Sequence, residues 1–98
     1  SGPPVDLRAQ RDETLAFIRR QGWDCVGCQG TFYHLPNVGS VSDFESALKG
    51  SNLFYLSGEV FGRGYENHVR LCFAREPAEL TAMLERLAAC VQTAGSEQ

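Results

Sequence analysis

One short segment constrains the fold more than any other: HVRLCFA, residues 68–74, alternates like a β-strand that buries a single face. Side chains two residues apart in a strand share a face. The apolar set consists of Val69, Leu71 and Phe73. Arg70 falls in the other set, between His68 and Cys72. We therefore predict that helices cover the apolar face and that Arg70 points away from them.

Two amphipathic segments supply helices for that covering layer. Residues 6–21 carry an apolar stripe at helical spacing, and Gly22 follows as the left-handed residue that often ends a helix. Residues 75–91 carry a second stripe, with Pro77 near the first turn, where a missing N–H costs little. The first stripe consists of Leu7, Thr14, Leu15 and Ile18, and the second of Leu80, Met83, Leu84, Leu87 and Val91.

Between these helices lie further β-prone runs and one short helix. The runs are WDCV at residues 23–26, TFYHL at 31–35 and NLFYLS at 52–57. The sequence SDFE at 42–45 fits a capping box in which Ser42 begins a short helix. A glycine-rich loop at 58–67 then leads into the strand that carries Arg70.

The predicted order is helix, strand, strand, helix, strand, strand, helix. Because each helix has a single apolar stripe, one sheet face is enough to cover all of them. We therefore predict an α+β fold, a two-layer α/β sandwich in which a small mixed sheet has its helices on one face. Residues 6–92 form this domain, with a tag remnant or linker at 1–5 and a flexible tail at 93–98.

Composition excludes several classes of protein. The 98 residues, 43% hydrophobic and 21% charged, suit one folded domain. With a net charge of −3, the chain has no excess of positive charge with which to bind nucleic acid. No apolar run reaches the roughly 20 residues that a membrane-spanning helix needs, and no signal peptide begins the sequence. We expect a cytoplasmic protein whose cysteines are reduced thiols.

The four cysteines nevertheless allow a thiol or zinc protein as one hypothesis. Cys25 and Cys28 form a CxxC pair, whereas Cys72 and Cys90 stand alone, with no second CxxC or HxxxH to complete a ligand set. No apolar helix follows the pair, so the helix N-terminus that activates a redox thiol is missing. We expect no metal site here.

Arg70 needs an anionic partner if its face of the sheet is covered. An internal ion pair with Asp24, Glu59 or Glu66 is one reading, and the strand pattern alone favours it. The other reading is a carboxylate or phosphate from outside the chain, held by the planar guanidinium through two parallel hydrogen bonds.

Four segments bear on this choice through a family resemblance. They are RAQRDETLAFIRRQG, QGTFYHLPNV, LFYLSGEVFGRGYENHVRLCFA and EPAELTAMLERLA. In order and spacing they resemble the C-terminal small domain of class I/II aminotransferases, the fold-type I pyridoxal-phosphate enzymes. The resemblance runs from about Arg8 to Val91, nearly the whole chain.

The resemblance implies a role for Arg70, which falls on the family arginine that binds the α-carboxylate of the amino-acid substrate. Tyr33, in the GTFY match to the family's GxFY segment, and His68, on the same strand face as Arg70, are candidate contact residues. The simpler readings are a core tyrosine and an ordinary strand-end histidine. Ser57 departs from the proline that the family has at this turn.

The resemblance also implies that the complete enzyme uses pyridoxal 5'-phosphate, held by a large domain on the same or a separate chain, and works as a homodimer on amino-acid and 2-oxo-acid substrates. The one lysine here, Lys49, ends a predicted short helix and is not in the family's cofactor-lysine context. We expect no catalytic or cofactor-binding residue, so the chain alone should be inactive. The alternative is a free-standing, non-catalytic aminotransferase-like module that docks a partner protein.

Overall fold

The computed structural model describes residues 6–25, 32–49, 56–57 and 66–96, which fold as a small α+β protein with three helices and an antiparallel sheet. In chain order the elements are α1 (Arg8–Arg20), β1 (Tyr33–His34), α2 (Val41–Ala47), β2 (Leu56–Ser57), β3 (Val69–Cys72) and α3 (Pro77–Ser96).

The sheet has the strand order β1-β3-β2, so β3 is the central strand. Tyr33 pairs with Cys72 on one side of β3, and Leu56 pairs with Arg70 on the other. Both pairings are antiparallel. The sequence led us to expect a mixed sheet, and a parallel pairing is absent from the part of the sheet that the structure describes.

The predicted β-prone runs differ in how much of each one forms a strand. Residues 33–34 and 69–72 form strands as expected, whereas the run at 23–26 contributes one bridge, between Asp24 and Asn37. The end of the run at 52–57 forms β2, whereas the rest of that run and most of the predicted glycine-rich loop at 58–67 lie outside the described residues, as do the segments 1–5 and 97–98.

Helix α1 ends as its glycine predicts. Gly22 has a φ of 77°, its N–H donates to the carbonyl oxygen of Arg19 at 3.0 Å, and the N–H of Trp23 donates to that of Ile18 at 3.3 Å. These two hydrogen bonds form a Schellman motif. The buried face of the helix includes Phe17, which the predicted stripe omitted in favour of the half-buried Leu15.

Helix α2 begins two residues earlier than its sequence led us to expect. Ser40 is the N-cap, and its hydroxyl oxygen accepts a hydrogen bond from the N–H of Asp43 at 3.1 Å. Ser42, the predicted cap, is an exposed residue inside the helix. Two overlapping sequences, SVSD and SDFE, both fit a cap, and the first one is used.

One apolar core joins the three helices to the central strand. Val69, Leu71 and Phe73 are all buried in one cluster with residues of the three helices, as expected for the apolar face of this strand. The helical residues that meet them include Phe17 and Ile18 of α1, Phe44 of α2, and Leu80, Leu84 and Leu87 of α3. Burying several such side chains, each worth about 1.5–3 kcal/mol, holds the helices against the sheet.

His34, in β1, packs against the same apolar core. Its side chain is fully buried, its Nε2 atom lies 3.0 Å from the carbonyl oxygen of Arg11 in α1, and its ring centroid is 5.1 Å from that of Phe73. The sequence offered no partner for this histidine. The structure supplies a backbone carbonyl.

No helix in the described ranges combines the length and the apolar character needed to cross a bilayer.

Candidate functional site

The candidate site lies on the sheet face opposite the core, where Arg70 projects from the central strand. Burial alternates along β3, with Val69 and Leu71 buried and Arg70 and Cys72 only partly buried. The sequence prediction for this face is therefore confirmed. Because β3 has a neighbour on each side, the backbone that carries Arg70 is held from both edges.

Tyr33 and Arg70 are in direct contact. The central carbon of the Arg70 guanidinium lies 4.5 Å from the centroid of the Tyr33 ring, within the range of a cation–π interaction. The two residues are diagonal neighbours across the β1–β3 pair, because Tyr33 stands opposite Cys72 and Arg70 is two residues away on the same face. The structure thus brings together two of the three residues singled out in the sequence.

His68, the third of these residues, continues the same face at the beginning of the strand. It is partly buried and pairs with Asn37 in an antiparallel bridge. By strand alternation its side chain lies on the same side of the sheet as Arg70. The face therefore carries an imidazole, a guanidinium and a phenol ring within one pair of strands.

Two of the three acidic residues considered as internal partners of Arg70 lie in the described ranges. Asp24 is exposed and pairs with Asn37 through the backbone. Glu66 is exposed in the turn that precedes β3. Glu59 lies outside the described residues.

A groove of about 750 Å³ lies beside this face, at the end of β3 that leads to α3. Cys72 lines it from the strand, and its other walls come from the beginnings of α1, β1 and α3. Phe32, on the wall that precedes β1, is 53% exposed. No local sequence pattern indicates this groove, because its lining residues come from separate segments of the chain.

The charged rim of the groove is held by local contacts. Arg75 Nη1 donates to Glu79 Oε1 at 3.2 Å, an (i, i+4) ion pair in the first turn of α3. Gln10 Nε2 donates to the carbonyl oxygen of Arg75 at 3.2 Å, which joins α1 to the segment after β3. Arg75 is therefore a structural cation, which lies five residues beyond Arg70 in the chain.

One carboxyl group has a clearly shifted pKa. Asp6 accepts hydrogen bonds from the side chain and the backbone N–H of Arg8, and these contacts lower the pKa of Asp6 from 3.8 to about 2. The same carboxylate raises the pKa of Arg8. The pair lies at the beginning of α1 and is exposed, so its effect is local.

Lys49 and three of the four cysteines, the candidate cofactor and metal ligands of the sequence, lie in the described ranges. Lys49 is exposed in the turn that follows α2. Cys72 and Cys90 are free thiols, and Cys28 lies outside the described residues, so the CxxC pair is not tested. Within the described ranges, histidine, cysteine and acidic side chains form no group of three or more that could bind a metal ion.

Comparison with known proteins shows which solved structures share the fold of this chain. Neither protein-family models nor curated protein sequences match this chain. Among solved structures, an aromatic aminotransferase from Pyrococcus horikoshii matches with a TM-score of 0.77 and 23% identity, over 89% of this chain and 24% of its own. A protein from Methanococcus jannaschii, described as similar in its active site to kynurenine aminotransferases, matches with a TM-score of 0.76 and 24% identity, over 85% and 23%.

A further Pyrococcus structure, described only as protein-A1, matches with a TM-score of 0.77 and 22% identity, over 89% of this chain and 24% of its own. At such identities the comparison establishes the fold alone. The chain spans about a quarter of the length of these solved chains. Its fold is therefore that of a small part of aminotransferase-like proteins.

Proposed function

We propose that this chain is the small domain of a pyridoxal-phosphate-dependent aminotransferase, in which Arg70 binds the α-carboxylate of the amino-acid substrate. One observation carries the proposal: the fold agreement with an aromatic aminotransferase extends over 89% of this chain. In this proposal residues 6–92 form the domain, with the helices as one layer and the sheet as the other. Residues 93–96, which the sequence predicted as part of a flexible tail, belong to helix α3, which continues to Ser96.

The geometry around Arg70 supports the carboxylate role. A guanidinium is charged at every relevant pH and presents parallel N–H donors that match the two oxygens of a carboxylate. Arg70 stands on the central strand, on the face opposite the helices, where a second domain can approach it. His68, two residues before it, is proposed as a contact to substrate or to that domain.

The residues of this chain do not fit the cofactor. A pyridoxal-phosphate enzyme needs a lysine that forms a Schiff base, and the one lysine in this sequence, Lys49, is an exposed residue after α2. When bound elsewhere, the cofactor withdraws electrons from the substrate α-carbon. The contribution of this chain is to bind and orient the carboxylate.

The proposal requires a partner that supplies what is missing. We propose a large cofactor-binding domain, on the same or a separate polypeptide, which covers the Arg70 face and completes the pocket for the substrate side chain. The substrates are an amino acid and a 2-oxo acid, the complete enzyme is a cytoplasmic homodimer, and this chain alone is inactive.

The test is to combine the purified chain with a candidate large domain and to follow the cofactor absorbance while amino acids are added. We expect a spectral change that needs both components and that Arg70→Ala abolishes. Glu66→Gln is the matched variant, because Glu66 is the acidic residue nearest to Arg70 in sequence among those considered as internal partners. An unchanged response with Arg70→Ala, or a loss of response with Glu66→Gln alone, contradicts the carboxylate role.

A further inference from the structure

The contact between Tyr33 and Arg70 has a geometry that suits the orientation of a guanidinium. The Tyr33 ring centroid lies 4.5 Å from the central guanidinium carbon, so the ring faces the cation. We propose that Tyr33 is a positioning residue, whose ring holds the Arg70 guanidinium in the orientation that receives a substrate carboxylate. This inference rests on the proposed function of Arg70.

The physical need for such a support comes from the arginine side chain itself. Its several rotatable bonds give it a large rotamer entropy, which is lost when the guanidinium is fixed by a ligand. A ring in contact with the guanidinium limits this freedom before the ligand arrives. In general, an aromatic ring contacts the face of a guanidinium and a carboxylate binds at its edge, so one arginine can make both contacts.

The backbone brings the ring into place. Phe73 N–H donates to the Phe32 carbonyl oxygen at 2.8 Å, so the neighbouring pair of Tyr33 and Cys72 is a non-hydrogen-bonded pair, in which side chains on one face are closest. Arg70 is the diagonal neighbour of that pair, within reach of an aromatic ring.

The residues that follow Tyr33 anchor its strand. His34 is fully buried on the opposite face and lies 3.0 Å, through Nε2, from the Arg11 carbonyl oxygen. Leu35 is only 4% exposed. Because the next two residues are fixed, the position of the Tyr33 backbone is set by the core, and the ring forms a stable platform.

The proposal assigns the effect to the ring and not to the phenol hydroxyl. Tyr33→Phe keeps the ring, whereas Tyr33→Leu removes it and keeps an apolar side chain. Tyr33→Thr is a second variant without a ring and has a high strand propensity, so the comparison does not depend on one substitution folding well.

The first measurement uses the 98-residue chain alone. The side-chain resonances of Arg70 in a ¹H–¹⁵N and ¹H–¹³C spectrum should carry a ring-current shift in the wild type and in Tyr33→Phe. Both variants without the ring should lose it, while the methyl signals of the buried Val69 and Leu71 stay in place as a folding control. Arg70 resonances that are the same with and without the ring would overturn the inference.

The second measurement uses the complete enzyme. Tyr33→Leu should raise the KM for the amino donor about tenfold with little change in kcat, because binding of the ground state and of the transition state is weakened alike. Tyr33→Phe should stay within about twofold of the wild type, as a hydroxyl-independent role requires.

Arg70→Ala separates this inference from the proposed function. If Arg70→Ala raises the KM and both ring-free variants leave it unchanged, the positioning role of Tyr33 is wrong and the role of Arg70 stands. If Arg70→Ala leaves the KM unchanged, the proposed function is wrong, and the positioning of a substrate-binding arginine is overturned with it.

Discussion

His34 Nε2 lies 3.0 Å from the carbonyl oxygen of Arg11, so a fully buried side chain of strand β1 is joined to helix α1 across 23 positions of sequence. A carbonyl oxygen can only accept a hydrogen bond, and Nε2 must therefore carry the proton. The other ring nitrogen, Nδ1, is buried without a hydrogen-bond partner among the described residues.

We therefore expect neutral His34 to be the Nε2–H tautomer. A long-range ¹H–¹⁵N correlation spectrum distinguishes the two tautomers directly, because protonated and bare ring nitrogens have well-separated shifts. The partly buried His68 provides a second histidine in the same spectrum for comparison. Observation of the Nδ1–H tautomer for His34 would mean that the link to α1 does not form.

Gly22 should resist substitution because of its backbone and not because of crowding. Its φ is 77°, and no atom of the described residues, apart from its two chain neighbours, lies within 4 Å of the place where a Cβ would stand. Gly22→Ala should lower the free energy of unfolding by about 1 kcal/mol, since a left-handed conformation is costly for residues with a Cβ. Gly22→Asn should lose less. Urea denaturation measures both, and equal losses would argue against the backbone explanation.

Ser40 and Ser42 form a matched pair that tests where α2 begins. Ser40→Ala should lower the free energy of unfolding by about 1 kcal/mol, because the N–H of Asp43 loses its acceptor. Ser42→Ala should change it by no more than about 0.5 kcal/mol, as is usual for an exposed site. A reversed order in chemical denaturation would restore Ser42 as the cap.

Asp6 should titrate near pH 2 in the folded chain, because the side chain and the backbone N–H of Arg8 stabilise the carboxylate. Its folded-state pKa lies below the ordinary value of 3.8, so these contacts contribute stability above about pH 3.8 and lose it as the pH falls towards 2. A ¹³C titration of the carboxyl carbon measures the midpoint.

Arg8→Met is the control for that titration. It removes the side-chain donor and leaves the backbone N–H, so the pKa of Asp6 should rise towards 3.8 without reaching it. A wild-type midpoint already near 3.8 would show that the Asp6–Arg8 contact is not formed in solution.

Local sequence signals predicted the features that depend on nearby residues. Alternation in residues 68–74 placed Arg70 on the sheet face away from the buried Leu71, and Gly22 ended α1 as expected. Local signals failed where two patterns overlapped, as at the cap of α2. They also failed where the width of a helical stripe left a choice, so that Phe17 was omitted from the core in favour of Leu15.

The contacts of the candidate site depend on pairing between distant segments, which no local pattern contains. Tyr33 reaches Arg70 only because β1 pairs with β3 in the register that sets Tyr33 opposite Cys72. A shift of one residue would turn Tyr33 to the other face of the sheet. Likewise, the partner of His34 is a backbone carbonyl, which every residue has and which leaves no mark in a sequence.

The role of Arg70 is tested most directly by the KM for the amino donor in the complete enzyme, measured for Arg70→Ala, Arg70→Lys and Arg75→Ala. Arg75 is the matched control, since it is a second arginine that follows β3 and is paired with Glu79. We expect Arg70→Ala to cost about 2–5 kcal/mol of binding, and Arg70→Lys to recover only part, because an ammonium lacks the planar fork.

Arg75→Ala should stay within about twofold of the wild type, and cofactor binding should be unchanged in all three variants. A large rise in KM that is specific to the two Arg70 variants is the result that the account predicts. An unchanged KM in Arg70→Ala, or an equal rise in Arg75→Ala, would contradict it.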